Sequence, residues 1–272
     1  VVFSVTNPEE HVNTLGGSDS RVDLSRGNTL PLVARPWGFN SWAPMTDTDP
    51  TYSSWWFHPN DRRYYGLRCT HQPSPWIDDY GQFRIVASLS SPTHGGVGQY
   101  SGYKPSSSAW NPYYFNATLL AYGTEQSFTT VEFTPSTHGG IMHVQFPKYE
   151  ADTNFIQTRR IAIVLNGGLD SSEIIEATEE TPPGISGKIV KNAGGAGTNF
   201  GYVYTGESGV EITKPIATSY TNEMAYLEFD PEDPATEHVT IRIATSLISK
   251  EQATFNLKDE IDVKKDFSDI FE

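Results

Sequence analysis

The chain has 272 residues, with 33 Asp and Glu against 19 Lys and Arg, for a formal net charge of −14. That charge repels nucleic-acid phosphates and anionic membrane surfaces, so neutral partners are expected. Its 23 Gly, 18 Pro and 12% aromatic content point to an all-β protein rich in turns, a single β-sandwich of roughly 200–250 residues being an ordinary size, and one Cys excludes an intrachain disulfide.

In chain order, Val1 opens no basic and apolar leader, and no apolar run reaches the roughly 18 residues of a membrane helix. A soluble, exported chain with its signal peptide removed is expected. Residues 27–66 ("GNTLPLVARPWGFNSWAPMTDTDPTYSSWWFHPNDRRYYG") are rich in Pro, Trp and Asn with little periodicity, so the first 80 residues read as long, ordered loop. Five of the six tryptophans lie between Trp37 and Trp76, and such aromatic faces in irregular backbone need either a core to fill or a flat ligand to stack on.

The stretch 66–83, "GLRCTHQPSPWIDDYGQF", gathers Cys69, His71, Trp76, Asp78 and Asp79. Zinc needs four ligands, and Cys69 with His71 lacks a second Cys/His pair. Neighbouring carboxylates on a strand point to opposite faces, whereas glycoside hydrolysis needs two carboxyls roughly 5–9.5 Å apart across the scissile bond. Asp78 and Asp79 are therefore not a self-sufficient acid/base pair. A Cys69–His71 nucleophile competes with the simpler reading of Cys69 as a buried, inert thiol. Recognition suits the stretch better: His71 and Asp78 or Asp79 can hydrogen-bond hydroxyls while Trp55, Trp56 or Trp76 covers the apolar face of a pyranose.

From residue 83 onward, short β-branched and aromatic runs such as "QFRIVASL", "PYYFNATLLAY", "QSFTTVEFT", "RRIAIVLN" and "HVTIRIATSLI" alternate with Gly, Pro, Asn and Asp clusters. Val239, Ile241 and Ile243 alternate with Thr240, Arg242 and Ala244, which predicts a strand with one face buried and one wet. "THGG" at 93–96 and 137–140 reads as hairpin turn chemistry, with metal binding by His94, His138 and His143 as the minor alternative. The glycine-rich 192–201 lacks the Lys-Ser/Thr of a phosphate loop, and it and the acidic 170–180 read as surface loops. Asn116-Ala117-Thr118 is an N-glycosylation acceptor pattern. Ser249 with Gln252 forms a capping box ahead of Ala253, Leu257 and Ile261 on one helical face, and Phe267, Ile270 and Phe271 begin a second face just before Glu272. That interrupted face leads us to expect a longer natural polypeptide, with a sandwich over 1–248 and the start of a helical linker over 249–272.

Three segments carry a resemblance. "RGNTLPLVARPWGFNSWAPMT" (26–46), "GLRCTHQPSPWIDDYGQFRI" (66–85) and "VTIRIATSLISKEQATFNLKDEI" (239–261), with "GISGKIVKNAGGAGTNFGYVYT" between them, resemble glycoside hydrolase family 92, the calcium-dependent exo-α-mannosidases, in order along residues 12–272. The resemblance implies a large antiparallel β-sandwich with long N-terminal loops and a short C-terminal helix leading to an (α/α)6 domain that this chain lacks. That domain would supply the general acid, the general base and most of the calcium environment of an inverting mechanism, so no catalytic or metal-ligating residue is assigned here. The positions that match are Arg35, Pro36, Gly38, Thr70, His71, Asp79, Tyr80 and Gly81, and Trp55 and Trp56 fall where the family carries an aromatic sugar contact. Cys69 departs from the family's His-Thr-His run, and Pro73-Ser74 from its Ser-Gly. The implied role is a substrate-rim and structural domain of an enzyme acting on mannose-containing glycans, partnered by its catalytic barrel; the alternative is a stand-alone carbohydrate-binding or surface-structural protein.

Overall fold

In the computed structural model, the structure describes residues 6–21, 23–24, 29–46, 56–71, 83–89, 100–120, 128–149, 158–165, 169–175, 184–189, 198–206, 217–220, 224–262, 264–265 and 267–271. Seventeen strands run along them: β1 Val33–Ala34, β2 Ser41–Met45, β3 Arg63–Tyr64, β4 Gly66–Thr70, β5 Phe83–Ser88, β6 Ser101–Tyr103, β7 Ala109–Asn111, β8 Tyr114–Leu120, β9 Phe128–Pro135, β10 Gly139–Gln145, β11 Arg159–Leu165, β12 Leu169–Ile175, β13 Gly184–Ile189, β14 Thr198–Gly206, β15 Ala217–Tyr220, β16 Met224–Phe229 and β17 His238–Ser246. Helices α1, Lys250–Glu260, and α2, Phe267–Phe271, follow.

The strands form two sheets with antiparallel pairing throughout. One has the order β1-β2-β4-β5-β11-β16-β15; the other runs β12-β13-β14-β17-β10-β9-β8-β6-β3, with β7 beside β8. Period-two alternation sends Trp42, Leu67, Cys69, Phe83, Ile85, Ile161, Ile163, Leu227 and Phe229 from the first sheet against Phe115, Val131, Phe133, Met142, Val144, Val239, Ile241 and Ile243 from the second. This is the antiparallel β-sandwich that the composition and the short strand runs predict.

Three expectations change. The expected N-terminal loop contains β2 and β4, which are interior strands of the first sheet, because Trp42 and Cys69 can be buried to zero exposure only if their backbone is paired. The acidic surface loop at 170–180 begins instead as β12, hydrogen-bonded to β13. And β17 is not wet on one face: Thr240, Arg242 and Ala244 are as buried as Val239, Ile241 and Ile243. Part of the cover comes from α1, the residue after it and α2: Leu257, Ile261 and Ile270 pack on Ile141 and Ala244. Ser249 caps α1, its hydroxyl accepting from the Gln252 amide at 3.1 Å, while the Gln252 side chain turns to Asn256 at 2.9 Å rather than back to the cap.

Candidate functional site

Register brings the candidate residues to one end of the sandwich. The starts of β2, β5 and β10 and the ends of β4, β9 and β17 meet there, since Ser41 opposes Thr70, Cys69 opposes Phe83, Gly139 opposes Ala244 and Gly140 opposes Pro135. The turn from Arg35 to Asn40 and the β9–β10 turn form this rim together. Phe39 N donates to Thr137 O at 2.7 Å, and Trp42 Nε1 donates to Gly139 O at 3.3 Å.

Asn40 ties the two sheets together. Fully buried, it donates from Nδ2 to His138 O at 2.6 Å and accepts from the Thr245 hydroxyl at 2.9 Å. Thr245 O in turn accepts from Asn256 Nδ2 at 3.0 Å, so α1 is bonded into the same chain of contacts. Glu260 closes it by accepting from the His138 backbone amide at 2.8 Å and bonding His138 Nδ1. No periodicity or charge marks Asn40 in the sequence; it lies unremarked between Phe39 and Ser41.

His71 follows β4 on this rim. Its Nδ1 lies 3.2 Å from Phe39 O, and its ring is 4.3 Å from the Phe39 ring, which also lies 5.3 Å from His138. A carbonyl only accepts, so Nδ1 carries the proton and Nε2 offers a lone pair. Burial pushes the imidazole down to about 4, against the opposing Phe39 bond and with a smaller push from His138. At neutral pH His71 is an uncharged acceptor and not a proton donor with a charge to spend. The sign of the pH effect follows. Between about 6.5 and 4 the unfolded chain binds more protons, so His71 contributes stability that is complete above about pH 6.5 and lost as the pH falls toward 4, on the order of 3 kcal/mol in all. Denaturant midpoints from pH 7 to 4 should fall less steeply in His71→Gln than in the unaltered protein; equal slopes would refute the assignment.

Cys69 points into the core with no exposure, and burial raises its thiol well above the ordinary cysteine range. This is the inert-thiol reading, and the Cys69–His71 nucleophile fails for want of a thiolate. In the native protein Cys69 should resist a thiol reagent that labels the denatured chain within minutes; fast native labelling would contradict it.

Trp56 is only 5% exposed, packed with Leu30, Ala43, Met45, Phe57 and Tyr65 beneath the Arg68 guanidinium, which lies 4.2 Å over its ring. Its carbonyl accepts from Thr46 N beyond the far end of β2, on the order of 15 Å from the rim by strand rise. The structure thus places Trp56 in a covering layer rather than beside His71. Trp55, Trp76, Asp78 and Asp79 lie outside the described residues, as do Tyr80, Gly81 and His94. The residues flanking the Trp76–Asp79 stretch, His71 and Phe83, both stand at the rim. Asn116 lies within β8, half-buried, with its Nδ2 3.4 Å from Glu132 Oε1.

Of the three histidines of the metal alternative, His138 bonds Glu260 and His143 Nδ1 lies 3.3 Å from Glu132, while His94 lies outside the described residues. Among the described residues no group of three His, Cys, Asp or Glu converges on a cation. None of the described helices is long and apolar enough to cross a membrane. The glycines of the second "THGG" do more than turn the chain. Gly139 and Gly140 sit inside β10, where neighbouring backbone and Phe133 leave no room for a Cβ.

A family model described as the glycosyl hydrolase family 92 N-terminal domain matches residues 11–246. None of the curated proteins matches the chain by sequence. Among solved structures, the family GH92 inverting mannosidase BT2199 from Bacteroides thetaiotaomicron VPI-5482 is 27% identical with a TM-score of 0.74, covering 98% of this chain and 35% of its own. The family GH92 α-mannosidase BT3965 from Bacteroides thetaiotaomicron, 20% identical, covers 98% and 36% with a TM-score of 0.69, and shares the fold. The GH92 glycosyl hydrolase ccman5, 15% identical, covers 97% and 35% with a TM-score of 0.71, and shares it too. The chain spans about a third of the length of these structures. By its match over most of its length, and by the sandwich that carries it, this chain belongs to glycosyl hydrolase family 92, of which it is the N-terminal domain.

Proposed function

We propose that this chain is the substrate-rim and structural domain of an exported, inverting, calcium-dependent α-mannosidase acting on mannose-containing glycans. The observation that carries the reading is the family match over residues 11–246 together with the likeness to an inverting mannosidase nearly three times as long. The rim gives it a physical basis. His71 lies at this end of the sandwich, its ring turned by Phe39 O, and Phe83, the first described residue after the segment bearing Trp76, Asp78 and Asp79, lies there too. Inversion needs one carboxylic acid on the leaving oxygen and one carboxylate on a water, and the catalytic barrel supplies both in this reading. Calcium takes six to eight oxygen ligands, and in this reading the barrel supplies most of them. Glycosylation at Asn116 belongs to the same reading; because its amide faces Glu132 between paired strands, the glycan would be attached before β8 closes onto β9.

The test is hydrolysis of α-mannobiosides by a polypeptide that continues past Glu272, followed by NMR of the released anomer with and without a chelator. β-Mannose formed only when calcium is present is expected. Release of α-mannose, or no hydrolysis of any mannoside, removes the proposal. A glycan array on the 272-residue chain reports whether the rim alone holds sugar.

A further inference from the structure

Trp37 is fully exposed, with a relative accessibility of 102%, and its backbone is left-handed at φ 61°. L-residues other than Asn and Asp seldom adopt that conformation, and a large apolar ring gains nothing by standing in water. The turn is nevertheless held firmly. Gly38 N donates to Arg35 O at 2.9 Å, Arg35 Nε donates to Pro135 O at 3.2 Å, and the other end of the same guanidinium donates to Ile270 O of α2. Strain kept in place by a well-bonded surround is a mark of a functional segment.

The surroundings indicate what covers it. Arg35 anchors α2, the last described element, so polypeptide continuing past that helix would start beside Trp37. The matched structures are nearly three times the length of this chain. Three of the eight large apolar side chains that are exposed among the described residues, Trp37, Ile248 and Phe255, belong to segments that enter the rim: the Arg35–Asn40 turn, the exit of β17, and α1. A large aromatic standing proud of a rigid turn is the usual form of an interface anchor.

We propose that Trp37 is the apolar anchor by which this sandwich docks on the larger remainder of a family-length polypeptide. The inference rests on the reading of the chain as the N-terminal domain of a longer enzyme. Two proteins test it, each unaltered and as Trp37→Ala: the 272-residue chain and a polypeptide continuing past Glu272. In the shorter protein, Trp37→Ala should remove an iodide-quenchable part of the tryptophan fluorescence and leave the melting temperature unchanged or raised. In the longer one, the indole should be shielded from iodide, and Trp37→Ala should lower the melting temperature by several degrees and uncouple the sandwich from the rest. Equal iodide access in both proteins overturns the inference, as does a gene that stops after the codon for Glu272. A raised KM for mannosides with unchanged quenching and melting would assign Trp37 to sugar binding and overturn it as well. Activity separates the two ideas: an active long protein with Trp37 still quenchable loses only the anchor, whereas an inactive one with Trp37 shielded loses only the mannosidase reading.

Discussion

Gly139→Ala is expected to destabilise the sandwich by about 3 kcal/mol or more. A Cβ at Gly139 would lie 1.8 Å from Ile243 O and 2.8 Å from Ala244 Cα, both backbone atoms of β17 in mid-sheet. No rotamer change relieves that contact; β10 and β17 would have to part where Gly139 opposes Ala244. Gly140→Ala is the milder companion, since its Cβ would meet Phe133 Cζ at 2.3 Å, a ring that is fully buried and can shift only by disturbing the core. Gly102→Ala serves as the control: its nearest neighbour would be Leu120 Cβ at 3.6 Å, an ordinary contact, and a change within about 0.5 kcal/mol is expected. Urea unfolding of the three variants checks the order. If Gly139→Ala unfolds at the midpoint of Gly102→Ala, the close approach of β10 to β17 is wrong.

Asn40→Ala should cost about 2–4 kcal/mol, lowering the melting temperature by roughly 5–10 °C for a domain of this size. The size of the effect comes from removing a fully buried side chain together with its two hydrogen bonds between the sheets. His138 O keeps the Thr245 amide at 2.8 Å, and the Thr245 hydroxyl can turn to it at 3.3 Å, so the loss is of the tie between the sheets and of packing. Asn40→Asp is no rescue at neutral pH, because a carboxylate can still accept from Thr245 but has no proton for His138 O, and the charge is buried. The loss should reach the rim as well: Phe39, held through Thr137, carries the carbonyl that orients His71. Amide exchange at residues 137–140 should therefore quicken in Asn40→Ala. Unchanged exchange there, with only a uniform loss of stability, would confine Asn40 to a packing role.

The legibility of this fold in its sequence is uneven for identifiable reasons. Strands such as β8, β11 and β17 are visible because their side chains alternate within one short segment. β2 and β4 are not, because "SWAPM" and "GLRCT" are too short and too mixed to show a period, and their burial is imposed by strands far along the chain. The capping serine and the apolar face of α1 are local patterns and could be read directly. That this helix packs on Ala244, and that Arg242 of the same face of β17 donates to Lys265 O beyond the helix, are properties of the assembled molecule. The glycines of the second "THGG" are visible as glycines, but the reason for Gly139 is the backbone of β17, about a hundred residues away, and the reason for Gly140 is the Phe133 ring and Thr134 O across the β9–β10 pair.

The same division runs through the candidate site. The residue types at 66–83 and the ordered family segments point to carbohydrate chemistry, and spacing argues against Asp78 with Asp79 as a self-sufficient acid/base pair. Spacing could not say that the Cys69 thiol is sealed in the core, that Trp56 lies under Arg68 away from the rim, or that His71 is held neutral by burial and turned by Phe39. By itself the sequence determined the class of fold, the family and the acidic, turn-rich character of the chain, because these follow from composition, local alternation and ordered motifs. Tertiary structure alone decided which aromatics are core and which are left standing in solvent, and which polar groups meet, because burial and hydrogen bonding depend on contacts between segments far apart in the chain.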